Sequence, residues 1–234
     1  LLKRKDVKMK AANDLLDPAE LTAASSSHLF KGISNKDIKS LMPCLTATKK
    51  KYKKNETIIN EGAHLNTACL LLSGSAHIER IDFSGTRNIV NALTPGDVFG
   101  ESYAASSLPV SVSVISDADT TVLFLNMTGI IHMCGNACPF HSKLLENLLR
   151  IMSVRNLNLN DKITIITQKS LRAKIMMYLN EISKRSGSTY FDIPFSRQQL
   201  ADYLNADRSA LSSALSSLKA DGVIDFQKNH FRII

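Results

Sequence analysis

Residues 195–222 read FSRQQLADYLNADRSALSSALSSLKADG, and the order of caps, turns and apolar steps here decides the architecture of the C-terminal part. Ser196-Arg197-Gln198-Gln199 has the form of a capping box, in which Ser196 accepts from the backbone N–H three residues on and Gln199 reaches back. Leu200, Ala201 and Leu204 give this first helix an apolar face. Asn205-Ala206 makes a turn, and Asp207 stands at the N-cap of a second helix. Leu211, Ala214, Leu215 and Leu218 fall at steps of three and four, and Gly222 follows as the C-terminal glycine. Val223–Phe226, Gln227–His230 and Phe231–Ile234 then read as strand, turn and strand. Residues 168–234 are therefore expected to form a winged helix-turn-helix domain.

In this arrangement the second helix enters the major groove of DNA and the wing meets the backbone. Its polar face carries Arg208, Ser209, Ser212, Ser213, Ser216 and Lys219. These side chains are mostly small, which allows close approach to a groove floor. The candidate DNA contacts are Arg197, Gln198, Arg208, Ser209, Ser212, Ser213, Ser216 and Lys228. Charge agrees with a polyanionic partner: the chain has 29 Lys and Arg against 21 Asp and Glu, a net +8. Half of that excess falls in residues 168–234, with ten basic against six acidic residues.

Upstream, no Gly or Pro interrupts Phe140 to Thr167, a helix of roughly 42 Å at the usual rise. Leu145, Leu148, Met152, Leu159, Ile163 and Ile166 lie at helical steps along it. A stripe of this length has to be covered, and a second copy covers it as a coiled-coil-like seam, so residues 136–167 are read as a dimerisation helix. A further helix is expected from about Ser170 to Lys184, and Thr167-Gln168-Lys169-Ser170 is the hinge candidate between them.

Between Thr46 and Leu125 short apolar runs alternate with turns at Gly62, Gly74, Gly85 and Pro95-Gly96. The runs are Thr57–Ile59, Ala68–Leu72, Ala76–Ile81, Ile89–Leu93 and Thr121–Leu125, and Val110–Val114 alternates strictly as a half-buried strand. Many short strands at this spacing predict a sandwich, barrel or jelly roll, placed at residues 25–135. Ser34 is expected to cap a helix that Pro43 stops. Residues 1–24 are read as an N-terminal arm or first helix, and the run Lys49–Lys54 as a solvated basic segment beside the first strand. The fold class is α+β: an N-terminal double-stranded β-helix (jelly roll), a long dimerisation helix, and the C-terminal winged domain.

This order resembles the CRP/FNR family of bacterial transcription regulators. Gly96-Asp97-Val98-Phe99-Gly100-Glu101 resembles the family's phosphate-binding cassette, Gly62, Leu71, Gly74 and Gly85 its roll turns, and Phe195–Leu218 its helix-turn-helix. The resemblance implies a homodimer on a palindromic promoter site of double-stranded DNA, with RNA polymerase as a further partner. It also implies an effector pocket at Phe99, Gly100, Glu101, Ser102, Val110 and Ser111. Members that bind cyclic nucleotides clamp the cyclic phosphate with an Arg-Ser or Arg-Thr pair, and this chain has Val110-Ser111 there. Without that cation a phosphate is poorly compensated, so the effector is expected to be something other than cyclic AMP, or absent. The recognition helix keeps Arg208, but Ser213 cannot make the bidentate guanine contact of an arginine. The family's consensus operators are therefore not assumed.

Enzyme classes find no support. His77-Ile78-Glu79 lacks the second histidine of a cupin metal site, and no nucleophile elbow, phosphate loop or His-Glu-x-x-His motif occurs. No cofactor is expected. Metal ligation has one set of candidates, His132, Cys134, Cys138 and His141, but Gly135 and Pro139 interrupt them and the spacing matches no zinc motif, so packing is the preferred reading. Four cysteines in 234 residues do not make a disulfide scaffold. Residues 1–43 hold none, which argues against the iron–sulfur sensing of some relatives. The chain starts with Leu, so its natural start is expected upstream. Leu1–Asp6 holds no signal-peptide core and no stretch suits a membrane span, which points to a cytoplasmic protein without membrane contact. The alternative is a dimeric ligand-, metal- or redox-sensing adaptor with weak or no DNA binding.

Overall fold

The computed structural model describes residues 15–81, 87–132 and 139–234, and the chain divides into two compact units, Leu1–Ser153 and Val154–Ile234. The first unit opens with α1 (Pro18–Ser26), a 3-10 turn at His28–Phe30 and α2 (Asn35–Cys44). Strands β1 (Thr48–Tyr52), β2 (Thr57–Ile59), β3 (Thr67–Ser73), β4 (Ala76–Ile81), β5 (Arg87–Leu93), β6 (Val98–Phe99), β7 (Ser113–Ser116) and β8 (Thr120–Asn126) follow. Helix α3 (Glu101–Ser106) separates β6 from β7, and α4 (Met127–Ile131) follows β8. The strands make two antiparallel sheets, ordered β1-β8-β3-β6 and β2-β7-β4-β5.

The apolar run in β3 shows why this roll closes. Cys69 and Leu71 face the second sheet, joining Ala76, Leu93, Phe99, Val114 and Val122. Ala68, Leu70 and Leu72 face the other way, into a core with Leu29, Phe30, Ile38, Leu41, Leu144 and Leu148. A strand covered on both faces needs a continuous apolar run rather than an alternating one. Each large side chain taken fully out of water here contributes about 1.5–3 kcal/mol.

Several local expectations hold. Ser34 accepts from the Asp37 N–H, although Pro43 does not stop its helix, which continues to Cys44. A proline in the last turn removes only a bond that is about to end. Val110, Val112 and Val114 are all buried, but the ladder begins only at Ser113. Val110 instead exchanges backbone hydrogen bonds with the Gly62-Ala63 turn, at 2.7 and 2.9 Å. Lys49, Lys50 and Lys51 of the lysine run lie in the first strand, and Lys53 and Lys54 follow it, exposed, into the turn. Lys49 in β1 forms a 2.6 Å ion pair with buried Glu20, whose other role is the α1 capping box with Asp17. From Leu15 onward the N-terminal segment is therefore no loose arm: Leu16, Leu21 and Ala24 belong to the roll core. Residues 1–14 lie outside the described residues, as does Gly85.

Helix α5 (Pro139–Ile166) matches the expected long helix. Its seam needs one correction. Leu148 is 3% exposed and packs into the roll's own core, whereas Leu149 is 57% exposed. The open row is Leu149, Asn156, Leu159 and Ile163, with Leu145, Met152 and Ile166 half-buried in the same alternating steps of four and three and Met152 packed against the roll core. The buried Asn147 side chain anchors the same helix, donating to the Leu29 and Lys31 carbonyls at 2.9 and 2.8 Å.

The second unit adds α6 (Leu171–Ser186), β9 (Tyr190–Asp192), α7 (Arg197–Tyr203), α8 (Arg208–Ala220), β10 (Ile224–Gln227) and β11 (His230–Ile233). Its sheet order is β10-β11-β9. Ser170 caps α6 and Gly187 ends it in the left-handed region. Leu200, Leu204, Leu211, Leu215 and Leu218 share one core with Ile175, Leu179, Ile224, Phe231 and Ile165. Because Ile165 belongs to this core and Asp161 pairs with Arg185, the Thr167–Ser170 break is braced inside the second unit. The chain divides within α5, at Ser153 and Val154, and not at the expected hinge.

Candidate nucleic-acid interface and roll pocket

The helix-turn-helix forms as its caps dictate. Ser196 and Gln199 complete a reciprocal capping box at the start of α7. Asp207 occupies the N-cap of α8, but its side chain makes no capping bond. Gly222 follows the C-cap of α8 with φ +69°, where a Cβ would be strained. The buried stripe of α8 is Leu211, Leu215 and Leu218, with Ala214 half-buried. Its outer face exposes Arg208, Ser209, Ser212, Ser213 and Ser216. Arg208 is the first residue of the helix, and no carboxylate among the described residues forms an ion pair with it. Ser212 and Ser216 turn their hydroxyls back to the carbonyls of Arg208 and Ser212, at 3.0 Å each. Their oxygens remain on the surface as acceptors.

The candidates on α7 have other partners. Arg197 Nη2 donates to the Lys228 carbonyl at 2.6 Å, and its guanidinium lies over Phe226 and Phe231. It is half-buried, and burial lowers its pKa. Arg197 therefore ties α7 to the wing rather than projecting from the surface. Gln198 is exposed but donates to Asp202 one turn on, at 2.8 Å. Lys228 sits at the wing tip between β10 and β11, exposed and with φ +54°. Lys219 leaves the polar face of α8 for the wing. It pairs with Asp225 at 2.6 Å and, mainly through that bond, holds the Asp225 carboxyl below the usual carboxylate range.

In the roll, Phe99 pairs with Cys69 across β3 and β6 and is fully buried. Gly100 follows with φ +73°, and a Cβ there would stand 3.1 Å from Leu65 Cδ1. Neither the backbone angle nor the space admits a larger residue without movement. Glu101 is 1% exposed, and exposed Ser102 donates to it at 3.4 Å. Cys69 is fully buried beside this cassette, and burial pushes its thiol up to about 12, which makes it a poor nucleophile. Val110 is a wall of the inter-sheet core. Ser111 Oγ lies 2.7 Å from the Tyr103 hydroxyl and accepts from Arg80 Nη2 at 3.0 Å. Arg80 Nε donates to the Ser111 carbonyl at 3.3 Å. A cation therefore reaches Ser111 from β4. The sequence carried a signal for it: Arg80 shares the period-two phase of Ala76 and Ile78, both packed into the inter-sheet core.

Of the metal candidates, His132 is exposed and His141 is buried. Both line an open groove of about 400 Å³ with Ile130, Leu145, Glu146 and Leu149. Cys134 and Cys138 lie outside the described residues. Among the described residues no group of three His, Cys, Asp or Glu side chains is placed to hold a metal, and no helix is long and apolar enough to cross a membrane.

Comparison with known proteins follows this division. The cyclic nucleotide-binding domain family matches residues 49–136, and the Crp-like helix-turn-helix domain family matches residues 173–234. The chain is similar to the transcriptional activator protein FnrL of Cereibacter sphaeroides, 26% identical over 76% of this chain and 73% of that protein. It is 23% identical to the nitrogen fixation regulation protein FixK of Azorhizobium caulinodans, over 74% of this chain and 69% of that one. Among solved structures, CprK complexed with OCPA shares the fold, with a TM-score of 0.60 at 11% identity, covering 83% of this chain and 88% of that one. A sensor-type roll, a long helix and a Crp-like winged domain in one chain, with regulators as relatives, place this protein in the CRP/FNR family of DNA-binding transcription regulators.

Proposed function

We propose that this regulator acts in the cytoplasm as a homodimer joined along α5 and bound to a palindromic promoter site. Its effector is a molecule other than cyclic AMP, or it has none. Each α8 enters a major groove with Arg208, Ser209, Ser212, Ser213 and Ser216, and Lys228 meets the phosphate backbone from the wing. In a two-fold dimer the half-sites lie about 34 Å apart, one helical turn of DNA. RNA polymerase is the further partner at an activated promoter.

The observation that carries this reading is exposure: α8 presents a polar outer face to solvent, and Leu149, Leu159 and Ile163 on α5 are each at least half exposed. The test is selection of binding sites from random duplexes, followed by titration at several salt concentrations. The expected result is a two-fold symmetric site and a log–log salt slope of several phosphate contacts. An asymmetric or absent consensus with no salt dependence overturns the reading. The back-bonded hydroxyls of Ser212 and Ser216 favour the alternative of an adaptor that binds DNA weakly, and the same titration separates the two.

A further inference from the structure

We propose that Arg172 and Lys174, in the first turn of α6, are positioning residues for DNA recognition: Arg172 fixes the C-terminal end of α8, and Lys174 fixes the turn that precedes it. The proposal deepens the reading of α8 as the helix that enters the groove, and it rests on that reading.

Ser170 caps α6 by accepting from the Ala173 N–H at 3.1 Å, which sets the first turn. Ile175, Tyr178 and Leu179 are the buried stripe of this helix, and Arg172 and Lys174 flank the stripe on opposite sides. Arg172 Nη1 donates to Asp221 Oδ2, and the same nitrogen lies 3.5 Å from Ser217 Oγ. Asp221 is the C-cap of α8. A carboxylate there stands at the negative end of the helix dipole, and the arginine offsets that unfavourable placement. Lys174 Nζ donates to the Leu204 carbonyl at 3.1 Å. Leu204 is the C-cap of α7, and Asn205 after it is held at φ +50°. Carbonyls at a helix end lack intrahelical partners, and the half-buried lysine supplies one. A single helix thus grips the chain just before α8 and just after it.

Apolar packing by itself sets this orientation loosely. Leu211, Leu215 and Leu218 share a core with Ile175 and Leu179, but burial of this kind has no preferred direction. Hydrogen bonds at both ends supply one. A recognition element has to be held to about 0.5 Å and 10–20° by the groups behind it. Two cations of a basic domain are therefore committed to aiming α8 rather than to phosphate contact.

The experiment measures the affinity of the full chain for a duplex carrying the site that the wild-type chain selects and for a scrambled duplex of equal length, across a salt series. It is run well below the thermal transition of each variant. Arg172→Gln and Lys174→Met should each lower the ratio of the two affinities by about tenfold, with the salt slope unchanged. Lys174→Arg keeps a donor and should restore most of the ratio. Arg172→Lys keeps the charge without the fork and should fall between wild type and Arg172→Gln, which serves if the neutral variant does not fold. Asp221→Asn separates aiming from contact by sign. If Arg172 aims α8, this variant loses preference for the selected site. If Arg172 instead meets a phosphate, removing the competing carboxylate strengthens binding to both duplexes, and the proposal fails. An unchanged ratio in Arg172→Gln and Lys174→Met also overturns it, as does a salt slope lowered by about one unit with the ratio kept. A wild-type chain that selects no sequence removes the reading role of α8 and this inference with it. A wild-type chain that selects a site, with variants that keep its preference, removes this inference alone.

Discussion

The guanidinium of Arg197 in α7 donates to the main-chain carbonyl of Lys228 at 2.6 Å and lies 5.0 Å from Phe226 and 5.2 Å from Phe231. A residue that reads as a DNA contact in the sequence thus holds the wing against the helix-turn-helix. Arg197→Ala should cost about 1–2 kcal/mol of stability, from the lost hydrogen bond and ring contacts. Its DNA affinity should fall with the slope of log K against log salt unchanged. Thermal denaturation and a salt series check both.

Arg208 is the contrasting case, exposed at the first position of α8. Arg208→Ala should weaken DNA binding and lower the salt slope by about one unit if it meets a phosphate, or relax one base position at about 1–3 kcal/mol if it meets a guanine. The dimer should remain intact by sedimentation. Unchanged affinity would remove the docking of α8.

Adjacent leucines on α5 should fail in different ways. Leu149→Glu places a charge on the open row, and the expected result is a folded monomer in sedimentation. Leu148→Glu places it in the roll core, where Leu148 is buried with Leu144 and Phe30, and the expected result is unfolding. Leu148→Ala alone should cost about 2–5 kcal/mol. A folded monomer from Leu148→Glu would reverse the assignment.

Asn147 satisfies the carbonyls of Leu29 and Lys31, in and just after the 3-10 turn, and its loss removes both bonds. Asn147→Leu should destabilise the first unit by about 1–3 kcal/mol, although it adds apolar surface to a buried position. Chemical denaturation of the variant measures this directly.

Alkaline pH should destabilise the protein. Burial pushes the Cys69 thiol up to about 12 and raises the Tyr52, Tyr178 and Tyr203 phenols. The unfolded state releases these protons first, so it binds fewer protons and stability falls as pH rises. For Cys69 the contribution is complete below the ordinary thiol value of 9.0 and is lost as pH rises toward about 12. The melting temperature should decline above pH 9, and iodoacetamide at pH 8 should label exposed Cys44 well before Cys69. Equal labelling of the two would contradict the burial.

Short-range signals carried much of this protein. The Ser196–Gln199 box, the Ser34 cap and the Gly222 end depend on groups within a few residues, and each stands where its sequence placed it. Most strand runs were equally readable, because burial on one or both faces of a sheet writes its own period, but the short strands β6 and β9 carried no such run. Helical steps alone could not decide between Leu148 and Leu149, since both lie on the side of α5 that carries apolar residues. The roll core took Leu148 and left Leu149 outside. The same holds for the two arginines. Arg197 finds its carbonyl 31 residues away, and Arg80 finds its serine at the same separation. A long flexible cation can reach many partners from one backbone position. Sequence determined most of the elements and the caps that close them, because those depend on groups a few residues apart. Only the packing of distant strands and helices decided which side chains each element would meet.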